Sequence, residues 1–430
     1  MRSSTQRGLA AMALAGALAL PAAAETVAIV GATVHPVSGP RLDNATVVIS
    51  DGRVAAVGVG ARVPAGARVI DGAGKVVTPG LLDSFTRLGV VEIGAVAGTR
   101  DYATQDDRIT AAFNVVDAIN PFSSLLAVTR VEGITRAVVA PAPGASLISG
   151  QGALIDLGAE PAPDLAGMVH KNPVAMFAVL GESGAQKAGG ARGAAILRLK
   201  EALEDARDFA ANRRAWQTGD RRDYALSRLD LEALLPVVEG EVPLAIHVDR
   251  AADILATLRL AREYDVILVL LGAADGWMVA EQIAAEAVPV VVNPMQNLPT
   301  FDNLGATLEN AARLHRAGVT VAFASFDAHN ARNLKQAAGN AVAYGMPWEE
   351  ALRAMTATPA KLWGIADRYG RLQVGMDADL VVWSGDPFEP LTSVEHVFVE
   401  GREVPMRTRQ TELLERYRTL DEALPPAYRN

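Results

Sequence analysis

Pro243-Leu244-Ala245-Ile246-His247-Val248 opens the part of the chain that decides the fold. An amphipathic pattern over Ala251–Tyr264 follows it, then the apolar run Val266–Leu271, a helical pattern over Trp277–Ala287, the run Pro289–Asn293, a helical pattern over Leu304–Ala317 and the run Val319–Ser325. Runs of nearly unbroken Val, Ile, Leu and Ala are buried on both faces, which is how parallel strands covered by helices read. The regular alternation predicts an α/β fold, a (β/α)8 barrel of the TIM type rather than an open doubly wound sheet. No Gly-x-Gly-x-x-Gly follows a strand, so a dinucleotide-binding sheet would lack its phosphate cradle. In such a barrel the residues at the C-terminal strand ends face a common site.

Outward from the barrel, both ends of the chain change character. Short strands are predicted at Val27–Val30, Ala45–Ile49, Val54–Val57, Arg68–Ile70 and Lys75–Val77, with Asp51-Gly52 and Asp71-Gly72 as hairpin turns between them. A second strand-rich piece, Ala378–Trp383 and His396–Val404, lies near the other end. Neither piece alone buries enough apolar surface, so together they are expected to form one small β-sandwich. The expected division is residues 25–78 plus 366–406 for the sandwich, 79–365 for the barrel and 407–430 for a tail. In that tail Leu413–Tyr417 reads as a short amphipathic helix ended by Pro425-Pro426.

Residues 1–24 read as a targeting segment. Arg2 and Arg7 precede an apolar run from Leu9 to Leu20 that ends in Pro21-Ala22-Ala23-Ala24. This is the layout of a secretory signal peptide, and the run is too short to span a bilayer; a buried or anchoring N-terminal helix is the alternative. Cleavage near Ala24 would leave a periplasmic or secreted protein, since no later segment reaches about 18 uninterrupted apolar residues. The formal charge is −9, with the acidic residues spread along the chain, which favours neither nucleic acid nor an anionic membrane as partner. There is no cysteine, which excludes thiol nucleophiles, thiolate metal sites and iron–sulfur clusters.

The barrel begins with Pro79-Gly80-Leu81-Leu82-Asp83-Ser84-Phe85-Thr86-Arg87-Leu88-Gly89. This resembles the Pro-Gly-Leu-Ile-Asp-x-His-x-His-Leu-Gly segment of the amidohydrolase superfamily. Further similar stretches are Gly133–Val139, Ser149-Gly150-Gln151-Gly152, Asp327–Leu334 and Gly375–Trp383, in the order found in the imidazolonepropionase-like branch. The resemblance implies a β-sandwich and a distorted barrel holding one or two divalent metals, usually zinc, that activate water to hydrolyse amides, cyclic amides or small peptides. It also implies ligands from a His-x-His on strand 1, a bridging Lys or Glu, one His on each of strands 5 and 6, and an Asp on strand 8. Position by position, the first pair becomes Phe85 and Arg87, the strand 6 ligand becomes Gly272, and His247 and Asp327 survive as the vestige of the set. Lys171 and Glu182 stand in the region where the bridging residue would be.

Two ligands do not make a catalytic zinc site, which normally keeps three protein ligands besides water. Phe85 offers no lone pair and Arg87 sets a permanent positive charge near the cation's place, where it is expected to pair with Asp327 instead. Asp327 is thus either a proton acceptor or a cap for the segment after it. His247 is either a metal ligand or a hydrogen-bonded barrel histidine. His329 and Asn330 follow in the loop after strand 8, where pocket residues concentrate but where His and Asn are also ordinary turn residues. Asp249 reads as a helix cap, Gln151 as part of a turn, and His35, His315 and His396 as structural. Three functions stay open: a C–N hydrolase with a depleted metal site; an inactive subunit that pairs with an active amidohydrolase-like chain, in a homo- or hetero-oligomer; or a binder of a small molecule that does not turn it over.

Overall fold

The computed structural model describes residues 25–158 and 165–418. The signal-peptide assignment and Pro425-Pro426 lie outside the described residues. None of the described helices is long and apolar enough to cross a membrane.

The central strands pair in chain order into one eight-stranded sheet: β1 (Leu81–Thr86), β2 (Ile134–Val139), β3 (Ile148–Asp156), β4 (Val169–Val179), β5 (Leu244–Val248), β6 (Leu268–Gly272), β7 (Val290–Val292) and β8 (Val321–Phe323). A bridge between Thr86 and Asp327 brings the end of β1 to the segment after β8, so the sheet curls nearly closed. From β4 onward the strands are parallel and helices separate them, among them Arg192–Gln217, Arg228–Val238, Ala251–Glu263 and Asn310–Arg316. The predicted strands of this half are present with shifted ends, whereas the Trp277–Ala287 pattern forms a 3-10 turn at Gly276–Val279 and a helix at Ala280–Ala285, and the Leu304–Ala317 pattern is helical only over Asn310–Arg316. The strict repeat fails at β3, which runs antiparallel to both β2 and β4. The 140–147 connection explains it, because a parallel crossover needs a dozen or more residues.

Both faces of the barrel are buried. Leu82, Val138, Leu154, Phe177, Ala245 and Val291 point inward with Phe85, over a floor made by Trp363 and Tyr369. The alternate positions Leu81, Ala137, Ile155, Leu244, Ile246 and Leu270 meet the helices. At about 25 cal/mol per Å2 such two-sided burial is the main stabilising contribution of these strands.

The two chain ends share one sandwich-like sheet with its own apolar core, as expected. Leu380–Trp383 pairs antiparallel with Val76–Pro79, which in turn pairs with Val27–Val34. Asp51-Gly52 makes the predicted tight hairpin: both residues have positive φ, 50° and 78°, and Ser50 lies opposite Arg53. Asp71-Gly72 does not. Arg68–Asp71 and Val76–Pro79 both run parallel to Val27–Val34, so this dipeptide steps the chain along one neighbour instead of reversing it.

The sheet is fastened to the barrel floor by charge. Arg136, on β2 and 1% exposed, donates to Asp379 from Nε at 2.8 Å and from Nη2 at 3.3 Å, and to Glu400 at 3.3 Å. Its guanidinium lies 3.6 Å from the centre of the Tyr369 ring, and the Tyr369 hydroxyl donates to Glu400. Burial works against the Arg136 charge and is outweighed by the attraction of Asp379, so the guanidinium is held above its ordinary range. The tail helix, Arg409–Tyr417, is capped by Thr408 and stays exposed.

Candidate functional site at the open end of the barrel

Aromatic rings fill the mouth. Phe85, at the end of β1, is 6% exposed and meets Phe177 of β4 edge-on at 5.6 Å and Phe326 at 4.9 Å. Phe326 has φ 55°, a backbone state that bulky side chains rarely adopt. The Phe326 N–H donates to the Phe85 carbonyl, and its ring stands 5.8 Å from His247. Phe85 thus joins β1, β4 and the loop after β8 through an apolar contact.

Arg87 does not pair with Asp327 as expected. Its guanidinium lies 4.6 Å over the Tyr102 ring, and only its backbone N–H reaches the Asp327 carbonyl. The Asp327 carboxylate serves its own loop: Oδ1 accepts from the N–H groups of Ala328 (2.6 Å) and His329 (3.0 Å), and Oδ2 from the Asn330 side chain (2.9 Å). Burial raises the Asp327 pKa, but these donors outweigh it and hold the group below the usual carboxylate range. A carboxylate so satisfied is a weak proton acceptor and a good loop anchor. His329 is turned to the loop after β1, with Nε2 at 3.0 Å from the Glu92 carbonyl, and Asn330 is exposed.

His247 is the penultimate residue of β5, with its side chain 41% exposed. Its Nδ1 lies 3.7 Å from Asp249 Oδ2, near enough for attraction but beyond hydrogen-bond length. Asp249 is not the helix cap it was expected to be: Arg250 occupies that position without a side-chain cap bond, and Asp249 Oδ1 accepts from the Ala274 N–H. Gly272 explains how both fit. It has φ 80°, and a Cβ there would sit 2.5 Å from Asp249 Oδ1 and 3.0 Å from His247 Nε2. A side chain at this position would therefore collide with the His247–Asp249 pair.

The remaining candidates disperse. Lys171 sits at the opposite end of β4 and donates to the Trp363 carbonyl on the barrel floor. Glu182 follows β4 at the correct end but is exposed. Gln151 is in β3, not in a turn, and its side chain donates to the Ala111 carbonyl. His35 stacks on Trp348 at 4.2 Å and His396 lies 2.5 Å from Glu403, both away from the mouth.

Sequence reasoning passed over Asp83. It is fully buried in β1, where Oδ1 accepts from the Phe85 and Ser325 N–H groups and Oδ2 has no partner among the described residues. Burial, reinforced by the Asp327 charge and opposed by the Ser325 and Phe85 donors, pushes its carboxyl up to about 7. A lone acid among apolar strand residues was the available signal.

Four observations bear on relatedness. Residues 239–404 match the amidohydrolase family. The chain is 24% identical over 374 residues to the amidohydrolase tasK of Hapsidospora irregularis, covering 79% of this chain but only 37% of tasK, so it spans little more than a third of that relative. The crystal structure of an amidohydrolase from Thermotoga maritima MSB8 superposes with a TM-score of 0.79 at 27% identity, over 89% of this chain and 100% of that one. Phenylurea hydrolase B, at 18% identity and a TM-score of 0.55 over 89% and 97% of the two chains, shares the fold.

The divalent metal of the amidohydrolase pattern does not fit the donors present. Both Asp327 oxygens are engaged, the Arg87 guanidinium lies over the Tyr102 ring, and among the described residues no group of three His, Asp or Glu is placed to hold an ion.

Proposed function

We propose that this chain is an amidohydrolase-type hydrolase of C–N bonds, acting on an amide, a cyclic amide or a small peptide, in which His247 backed by Asp249 is the proton acceptor. The carrying observation is the solvent-open imidazole at the end of β5, with Asp249 beside Nδ1 and the space over Gly272 beside Nε2. His247 would take a proton from the attacking water and return it to the nitrogen that leaves as the C–N bond breaks. Asp249 would orient the ring between those transfers. The family match and the Thermotoga maritima likeness support the reaction class. The motif segments support placement in the imidazolonepropionase-like branch, and the basic-then-apolar sequence of residues 1–24 supports a secretory signal and a periplasmic or secreted location.

A second reading is favoured by the Phe85–Phe177–Phe326 contact, which fills part of the mouth with side chains that offer no proton acceptor. On it the chain is a silent subunit that associates with an active amidohydrolase-like partner. One experiment separates the two: turnover of an amide and dipeptide panel by protein freed of a histidine tag, with metal content measured alongside. Turnover lost in a folded His247→Ala variant, without stoichiometric metal, supports the first reading. Turnover that tracks a bound equivalent of metal overturns the His247 mechanism, and no turnover with co-purification of a homologous chain favours the second.

A further inference from the structure

Arg87 stands one residue past the end of β1, on the rim of the mouth that also carries Asp327. Its backbone is fixed on both sides. Thr86 and Leu88 are fully buried, the Arg87 N–H donates to the Asp327 carbonyl at 3.3 Å, and the Arg87 carbonyl accepts from the Val90 N–H at 3.3 Å. The side chain is held as well, because the guanidinium stacks 4.6 Å over the Tyr102 ring. Tyr102 is itself tied down: the Asp101 N–H donates to the Val90 carbonyl at 2.9 Å, and the Tyr102 carbonyl accepts from the Ala142 N–H at 2.8 Å.

A guanidinium carries several N–H donors in one plane and no acceptor. Those of Arg87 meet no hydrogen-bond or ionic partner among the described residues, and Asp327, the acid beside it on the rim, is engaged by its own loop. Nε is sealed from solvent, which shuts the side-on fork, whereas the two Nη groups stay open. Stacking uses the face of the guanidinium and leaves its edge free, the geometry in which arginine takes both oxygens of a carboxylate. A side chain fixed beforehand also loses little freedom when it binds.

We infer that Arg87 is a specificity-determining residue that holds a carboxylate of the substrate end-on through its two Nη groups, so that the substrates are amides with a free carboxylate, N-acyl amino acids and dipeptides. The inference rests on the hydrolase reading for the reaction, in which proton transfer stays with His247, but the carboxylate contact can be read separately by binding. The test compares N-acetyl-leucine and glycyl-leucine with N-acetyl-leucinamide and glycyl-leucinamide. Cleavage of the acetyl–leucine or glycyl–leucine bond is followed at steady state, and binding is followed by calorimetric titration of the folded His247→Ala variant. The acids are expected to be at least about tenfold better in kcat/KM, mainly through KM, and to bind at least about tenfold more tightly. Arg87→Met should erase that preference, and Arg87→Lys should keep part of it. Hydrolysis with no preference for the acids, or a preference that survives Arg87→Met, overturns the inference and leaves the hydrolase reading standing. Absence of hydrolysis together with acid-selective binding that Arg87→Met abolishes upholds the carboxylate contact and removes the hydrolase reading; absence of acid-selective binding overturns the contact as well.

Discussion

Arg136→Met is expected to destabilise the fold by about 3–5 kcal/mol, whereas Arg87→Met costs only about 0.5–2 kcal/mol. Arg136 is almost wholly buried, and its Nε lies 2.8 Å from an Asp379 carboxylate that is itself 4% exposed. At that distance the attraction is on the order of 6 kcal/mol for an effective dielectric constant of about 20, and it offsets the desolvation of both ions. Removing the cation leaves Asp379 buried and uncompensated, and also removes the stacking on Tyr369. Arg87 has no anionic partner among the described residues, so its loss removes only the contact with Tyr102. Urea unfolding followed by tryptophan fluorescence reads both, since Trp363 and Trp383 are fully buried. The double change Arg136→Met with Asp379→Leu should recover most of the lost stability. The reasoning is refuted if Arg136→Met stays within about 1 kcal/mol of wild type, or if Arg87→Met is the more damaging change.

Three other outcomes follow from the mouth. The Asp83 carboxyl is raised from 3.8 to about 7 in the folded state, so its stabilisation is complete below pH 4 and is lost as pH rises toward 7. At about 1.4 kcal/mol per unit this amounts to something on the order of 4 kcal/mol, and Asp83→Asn should flatten unfolding free energy over that window; an unchanged pH profile would argue against a neutral Asp83. Phe85→Ala should cost about 3–5 kcal/mol in chemical denaturation, because three elements lose a shared ring contact, and a loss below about 1 kcal/mol would mean the mouth is not packed as described. Gly272→Ala should lower the thermal midpoint through more than about 1 kcal/mol of strain and crowding, and a wild-type midpoint would contradict the close approach of Asp249.

Much of the architecture was legible because it rests on local pattern. The Val, Ile, Leu and Ala runs of β5 to β8 and the amphipathic stretches between them report two-sided burial whatever their partners are. Turn chemistry carried the Asp51-Gly52 hairpin, but the same dipeptide at Asp71-Gly72 means something else once both flanking strands lie along Val27–Val34. The direction of β3 was hidden for a related reason: alternation of side chains is the same for parallel and antiparallel neighbours, and only the length of the 140–147 connection distinguishes them.

At the site the division is sharper. Residue chemistry by itself determined that Phe85 cannot ligate an ion and that Gly272 offers no donor. Only the tertiary structure decided where the charges went. Arg87 lies against Tyr102 rather than Asp327, Asp327 binds its own loop, and Asp249 turns to His247 rather than to a helix terminus. These partners are chosen by distances of a few ångströms between segments far apart in the chain, and electrostatic and hydrogen-bond energies change steeply over such distances. Burial patterns repeat along a sequence and can be read from it; the pairing of individual charges exists only once the strand ends have been brought together.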